Sequence, residues 1–312
     1  MTLISTPGNP VPDGAIAGKV RTPDGVELRF ARWDSPAGKG TICVFGGRGE
    51  FIEKYFETIG ELRSRGFAVA TIDWRGQGHS SRQLPDPRKG HVESFSDYEI
   101  DLAAFMQQVV LPNCPQPHFA LTHSMGGAVV LRAAHSGKPW FERAVLVAPM
   151  IDFPRAWIAR PLHLLLRMAR LAGLGERYVP SGNVDRVRTS RFAGNPLTSD
   201  PVRYARNAAV VAHDPTVGIA GPTVAWLDSA FDTIAAFRAA DYAAQIDQPT
   251  LMLAAGADSI VSSAAIGRFA ARLRSGSHSL IEGAKHEILQ EQNGYRAQLW
   301  AAFDAFVPGA SI

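Results

Sequence analysis

A serine hydroxyl attacks an ester or amide carbonyl when a sharp turn presents it beside a base and near backbone donors. Thr122-His123-Ser124-Met125-Gly126-Gly127 has the residue types for such a turn. It follows an apolar run, Pro117 to Leu121, and opens a segment of helical periodicity, Met125 to His135, so Ser124 falls at a strand-to-helix junction. Gly126 and Gly127 supply the smallness the helical side needs. On the strand side, Thr122 stands where G-x-S-x-G has its first glycine, and a β-branched residue crowds the turn. A serine nucleophile needs a base, and the base an acid. Asp258 follows the run Thr250-Leu-Met-Leu-Ala-Ala-Gly256, and His286 follows Ser279-Leu-Ile-Glu-Gly-Ala, so each would sit on the loop ending a strand. His286 would take the Ser124 proton and return it to the leaving group, while Asp258 fixes the imidazole tautomer. His123 points away from Ser124 along an extended chain and reads as a packed structural histidine. Asp228, Asp232 and Asp241 are rival acids, but all precede the Thr250 run rather than end it.

A tetrahedral intermediate also needs donors for its oxyanion. The amide of Met125, directly after the nucleophile, supplies one. Gly46-Gly47-Arg48-Gly49-Glu50 is a second source, because its glycines let the backbone approach a substrate closely. It reads equally as a glycine-rich turn before a helix at Phe51. A phosphate-cradling loop is disfavoured, since neither Gly-Lys-Ser/Thr nor G-x-G-x-x-G spacing is present. The histidines show no H-E-x-x-H pattern and His91-Val-Glu93 lacks further ligands at useful spacing, so no metal site and no cofactor are implied.

The elements that must position these residues are legible as alternation. Ala17 to Thr22 and Val26 to Trp33 flank Pro23-Asp24-Gly25 and predict a β-hairpin. Short apolar runs at Thr41 to Phe45, Phe67 to Ile72, Pro117 to Leu121, Ala144 to Ala148, Thr250 to Ala254 and Ser279 to Ile281 suit strands buried on both faces. Helical periodicity fills Phe51 to Arg65, Phe95 to Val110, Met125 to His135 and Ser262 to Leu273. The pattern predicts an α/β fold with a mostly parallel, doubly wound sheet. The rhythm breaks after Pro149, which divides the chain into a first core part at 1–149, an inserted helical cap at 150–220 and a second core part at 221–312. Within the cap, Trp157 to Leu171 is helical in pattern, with Arg160, His163, Arg167 and Arg170 along one face.

The chain of 312 residues, 46% of them hydrophobic, is long enough for one large core carrying an insertion. A formal charge of +3 with no basic tract argues against a nucleic-acid partner. Cys43 and Cys114 give neither a disulfide framework nor metal spacing and read as free thiols. Residues 1–18 hold Pro, Gly and Asp where a signal peptide would be apolar, and no run is long enough to span a membrane, so a cytoplasmic protein is expected.

Gly46 to Glu50, Asp73-Trp-Arg-Gly-Gln-Gly-His-Ser80, Ser124-Met-Gly-Gly127, Gly256-Ala-Asp258 and Gly283-Ala-Lys-His286 occur in an order that resembles the monoacylglycerol-lipase and bacterial lysophospholipase group of α/β-hydrolases. The likeness spans nearly the whole chain outside its first residues and the cap. In that group the first loop reads His-Gly-x-Gly-Glu, so here Gly46 replaces the histidine and Arg48 takes the position whose amide completes the oxyanion hole. The Asp73 to Ser80 signature is structural, Gly76 and Gly78 permitting tight turns. The resemblance implies a serine ester hydrolase whose cap selects an acyl chain against Trp157, Leu162, Leu165 and Trp226, with a lysophospholipid or a monoacylglycerol as substrate. The arginine face of the cap helix would give peripheral contact with anionic lipid headgroups. A small-ester esterase, a serine aminopeptidase and a catalytically silent ligand-binding protein are the other readings, whereas epoxide hydrolases and dehalogenases need a carboxylate where Ser124 stands.

Overall fold

In a computed structural model of the chain, the described residues are 2–154, 156–180 and 192–310, the side chains of 156–160 excepted. Eight strands form one sheet: β1 (Ala15–Arg21), β2 (Glu27–Trp33), β3 (Thr41–Phe45), β4 (Ala68–Ile72), β5 (His118–His123), β6 (Arg143–Val147), β7 (Thr250–Ala255) and β8 (Gly276–Ile281). Their spatial order is β1-β2-β4-β3-β5-β6-β7-β8. The β1–β2 and β2–β4 pairs are antiparallel and all the others parallel. The sheet is therefore mostly parallel, as the alternation of runs and helices predicts.

The strand runs are apolar throughout because both faces of the sheet are covered. Cys43, Phe45, Ala70, Ile72 and Ala120 enter one core, and their neighbours Ile42, Val44, Val69, Phe119 and Leu121 enter the other. Around the sheet lie α1 (Phe56–Ser64), α2 (Phe95–Phe105), α3 (Met125–His135), α4 (Ala156–Ala169), α5 (Pro201–His213), α6 (Val224–Arg238), α7 (Ser263–Ala270) and α8 (Asn293–Phe306). The helix expected from Phe51 opens as a 3-10 turn, Ile52–Tyr55, and α2 continues through a wide turn at Met106–Val110. Two helices, α5 and α8, and the first half of β8 carry no clear sequence signal. In β8 the reason is visible: Gly276, Ser277 and His278 are exposed on an edge strand, where no apolar run is required.

One buried ionic cluster ties the antiparallel edge to the centre. Arg29 of β2 is fully buried and donates from Nε to Asp73 at 2.6 Å and from Nη1 and Nη2 to Glu53 at 2.7 and 2.8 Å. Asp73 also accepts the amides of Ile52 and His79. It thereby joins the end of β4 to the start of the first helical segment, just past the Gly46–Glu50 loop. Gly78, at φ +52, is obligatory there, since a Cβ would fall 2.0 Å from the Asp73 carboxylate. The Asp73 to Ser80 signature thus acts by holding backbone.

Candidate active site

Ser124 lies between β5 and α3 with φ 50 and ψ −113, a conformation rare for any residue bearing a Cβ. The turn is pinned to the next strand: its amide donates to the Val147 carbonyl at 3.0 Å, and its carbonyl accepts the Met150 amide at 3.0 Å. Gly126 has no room for a side chain, because a Cβ would sit 2.7 Å from the Phe45 and Gly46 carbonyl oxygens. At Gly127 a Cβ would meet Pro149 at 2.9 Å and Thr122 Oγ1 at 3.0 Å. Thr122 fits at the place expected of a glycine because Gly127, opposite it, leaves the space its hydroxyl fills.

His286, on the loop after β8, places Nε2 3.0 Å from Ser124 Oγ and Nδ1 2.7 Å from Asp258 Oδ2. Asp258, on the loop after β7, also accepts the Ile260 and Val261 amides at 2.7 and 3.0 Å. Burial works against its ionised form, but the His286 hydrogen bond and charge, with the two amides, outweigh it and hold the carboxyl below its ordinary value. The structure thus brings together the three residues selected from the sequence, at the carboxyl ends of three parallel strands. The rival acids are elsewhere. Asp228 and Asp232 bind Arg167, while exposed Asp241 accepts from Gln245.

The Gly46–Glu50 loop abuts the serine: a Cβ on Gly47 would lie 3.1 Å from Ser124 Cβ. Neither the Arg48 nor the Met125 amide is taken by a backbone acceptor among the described residues, so both are available as donors. Without the histidine of the family pattern, the loop is held by its own Glu50, by Tyr55 and by Trp74 and Gln77 of the Asp73 to Ser80 signature. Glu50 accepts the Gly47 amide and the Tyr55 hydroxyl, Gln77 accepts the Gly49 amide, and the Trp74 indole donates to the Gly46 carbonyl. Glu50 also meets Lys54 Nζ at 2.7 Å and His123 Nδ1 at 3.0 Å. Burial opposes its charge, yet His123 and Lys54 hold its carboxyl well below the usual range, and Glu50 in turn raises His123 against the desolvation of that ring. His123 Nε2 donates to the His286 carbonyl at 3.2 Å, and the two rings lie 4.7 Å apart. His123 therefore braces His286 from behind and does not contact Ser124 Oγ. Glu50, Trp74, Gln77 and His123 all lie within the motifs quoted from the sequence, and Glu50 and Lys54 stand four residues apart.

The expected acyl-binding residues fare unevenly. Trp157 has a side chain outside the described residues. Leu162 is half-buried against Leu166, Val179, Val224 and Phe231. Leu165 is a correction: it is 66% exposed, because the buried stripe of α4 runs through Leu162, Leu166 and Ala169 and leaves it off that face. Trp226 is also corrected. It is sealed in the core against Phe95, with Nε1 donating to the Tyr98 hydroxyl, and it reaches the site only through Arg48, whose guanidinium carbon lies 5.0 Å from its ring centroid.

The basic face of α4 is partly exposed but paired with carboxylates of its own fold, which corrects the expectation that it is free to meet lipid headgroups. Arg167 binds Asp228 and Asp232, Arg170 binds Asp228 and Glu93, and His163 lies 3.3 and 3.2 Å from Asp228 and Asp232. Arg160 has a side chain outside the described residues. His163, Asp228 and Asp232 have the donor types of a cation site, but two guanidinium groups already neutralise those carboxylates. What α4 and the turn after it present outward is apolar: Leu164, Leu165, Met168, Leu171 and Leu174. Among the described residues no helix is long and apolar enough to cross a membrane.

A serine after β5, an acid after β7 and a histidine after β8, in that chain order on a mostly parallel sheet, define an α/β-hydrolase. The chain belongs to the family described as "Serine aminopeptidase, S33", whose pattern matches residues 36–293, and within it to the monoglyceride-lipase and lysophospholipase group of hydrolases. It is 33% identical to lysophospholipase L2 of Escherichia coli over 91% of this chain and 85% of that protein. It is 25% identical to the monoglyceride lipase of Mus musculus over 84% of this chain and 80% of the other. Among solved structures, a carboxyl esterase from Bacillus coagulans superposes with a TM-score of 0.76 at 17% identity, covering 96% of this chain and 99% of that one. A soluble variant of the Saccharomyces cerevisiae monoglyceride lipase gives 0.72 at 19% identity, covering 95% and 97%, and these two likenesses speak for the fold alone.

Proposed function

We propose that this protein hydrolyses the ester of monoacyl lipids, a lysophospholipid or a monoacylglycerol, through an acyl-enzyme formed on Ser124. The observation that carries the reading is the Ser124–His286–Asp258 chain of hydrogen bonds at 3.0 and 2.7 Å. His286 Nε2 takes the Ser124 proton as Oγ bonds to the carbonyl carbon, and Asp258 stabilises the imidazolium. The negative charge passes to the carbonyl oxygen, which the Arg48 and Met125 amides receive. Collapse breaks the bond to the alcohol, which leaves with the proton from His286. A water that gives its proton to the same nitrogen then releases the fatty acid and restores Ser124. The relatives named lysophospholipase and monoglyceride lipase support a one-chain lipid.

Fatty-acid release by purified protein from a lysophosphatidylcholine, a monoacylglycerol and a short nitrophenyl ester, with Ser124→Ala as blank, tests this. Preference for either long-chain lipid is expected. Turnover of the short ester alone would keep the serine chemistry and remove the lipid assignment.

Residues 150–220 act in this reading as a cap over the serine, and its outward leucines rather than its arginines rest on the lipid surface. The double variant Leu165→Asp, Leu171→Asp is expected to lose about ten-fold or more of its activity on vesicle-borne substrate, since each apolar side chain contributes roughly 1.5–3 kcal/mol when buried, and to keep nitrophenyl-ester turnover. Equal activity on vesicles would refute contact through this face.

A further inference from the structure

Arg48 carries an unusual side chain for a residue whose amide faces an oxyanion. Its Nε is buried with no hydrogen-bond partner, and the guanidinium's one hydrogen bond among the described residues runs from Nη2 to the Ala220 carbonyl at 2.9 Å. No described carboxylate pairs with it, although Arg29, Arg75, Arg167, Arg170 and Arg203 all have such partners. The residue as a whole keeps some exposure, while its Nε is buried. Burial lowers its pKa to about 10, with Tyr98 and Tyr178 pulling weakly the other way, which leaves it cationic at neutral pH. The Trp226 ring attracts the charge but offers no oxygen to the guanidinium donors. A desolvated cation without a counter-ion is costly, and a guanidinium fork matches phosphate geometry.

We propose that Arg48 recognises the phosphodiester of a lysophospholipid headgroup and thereby sets a preference for lysophospholipids over uncharged monoacylglycerols. The inference rests on the monoacyl-lipid reading above and narrows its substrate class. With the ester carbonyl held by the Arg48 and Met125 amides, the glyceryl unit separates carbonyl carbon from phosphorus by about as many bonds as separate the Arg48 backbone from its guanidinium. The same residue then reads both groups, the carbonyl through its amide and the phosphate through its side chain.

The test compares kcat/KM for a lysophosphatidylcholine and a monoacylglycerol of the same chain in wild type, Arg48→Gln and Arg48→Lys. The lysophospholipid-to-monoacylglycerol ratio is expected to fall ten-fold or more in Arg48→Gln, whatever loss the two substrates share, and to be intermediate in Arg48→Lys, which keeps charge but not the fork. An unchanged ratio overturns the proposal and leaves Arg48 a packing role. Ether-linked analogues separate this result from failure of the broader reading, because they inhibit nitrophenyl-ester hydrolysis without being cleaved. The alkyl lysophosphatidylcholine should inhibit wild type at least ten-fold more tightly than the alkylglycerol, with the gap closing in Arg48→Gln, even if neither ester lipid is turned over. Equal inhibition constants in wild type would overturn it. Inhibition by inorganic phosphate that is lost in Arg48→Gln, with the two ether lipids inhibiting wild type equally, would assign the site to free phosphate and overturn the lipid recognition.

Discussion

Ser124→Ala is expected to lower kcat for every ester by about a million-fold and to abolish labelling by a fluorophosphonate. The change removes one atom, Oγ, whose partner is His286 Nε2 at 3.0 Å. The backbone bonds that hold the turn, to Val147 and Met150, remain, and so does the Cβ. Melting temperature and spectroscopic fold should therefore stay close to wild type while turnover disappears. A variant that kept even a hundredth of wild-type turnover at saturating substrate would show that the nucleophile is another group.

Asp258→Asn should lower kcat by about ten-thousand-fold while leaving substrate binding nearly intact. An amide in place of Oδ2 can hold His286 in the tautomer that presents N–H to Ser124, and it cannot stabilise the imidazolium. Three other carboxylates are already engaged: Asp228 and Asp232 by Arg167, and Glu50 by His123 and Lys54. A drop of less than ten-fold would remove Asp258 from the proposed triad. The sign of the pH effect follows from its lowered pKa. A carboxylate whose folded value lies below its unfolded one contributes stability above the unfolded value, near 3.8, and loses it as pH falls through the folded value. Melting temperatures taken from pH 7 down to pH 3 should accordingly fall more steeply at the acid end for wild type than for Asp258→Asn.

The residues proposed for chemistry were legible because each follows an apolar run and carries a side chain an ordinary loop has little use for. Ser124, Asp258 and His286 needed only strand ends and chain order. Glu50, Gln77, Trp74 and His123 stand within quoted motifs, but that they meet one another was not legible, since contacts across the fold are encoded by no local pattern. On α4 the sequence showed an apolar and a basic face but not what each would meet. The acids that engage the basic face, Asp228 and Asp232, sit far along the chain on α6. Leu165 was misplaced for the same reason, because a face reads as lining only when its neighbour is known. Helices α5 and α8 carry no clear signal in the sequence, and β8 extends before its apolar run because its edge position frees it from carrying apolar residues.

The backbone at Ser124 has a further consequence. A positive φ with ψ near −113 is a conformation that costs a side-chain-bearing residue roughly 1–3 kcal/mol, and the hydrogen bonds to Val147 and Met150 with the tight contacts of Gly126 are what enforce it. A glycine at that position would relax the turn and remove the proposed nucleophile. Selection for thermal robustness and selection for turnover therefore pull this one residue in opposite directions, and a search that rewarded stability alone would drift toward inert variants with an intact fold.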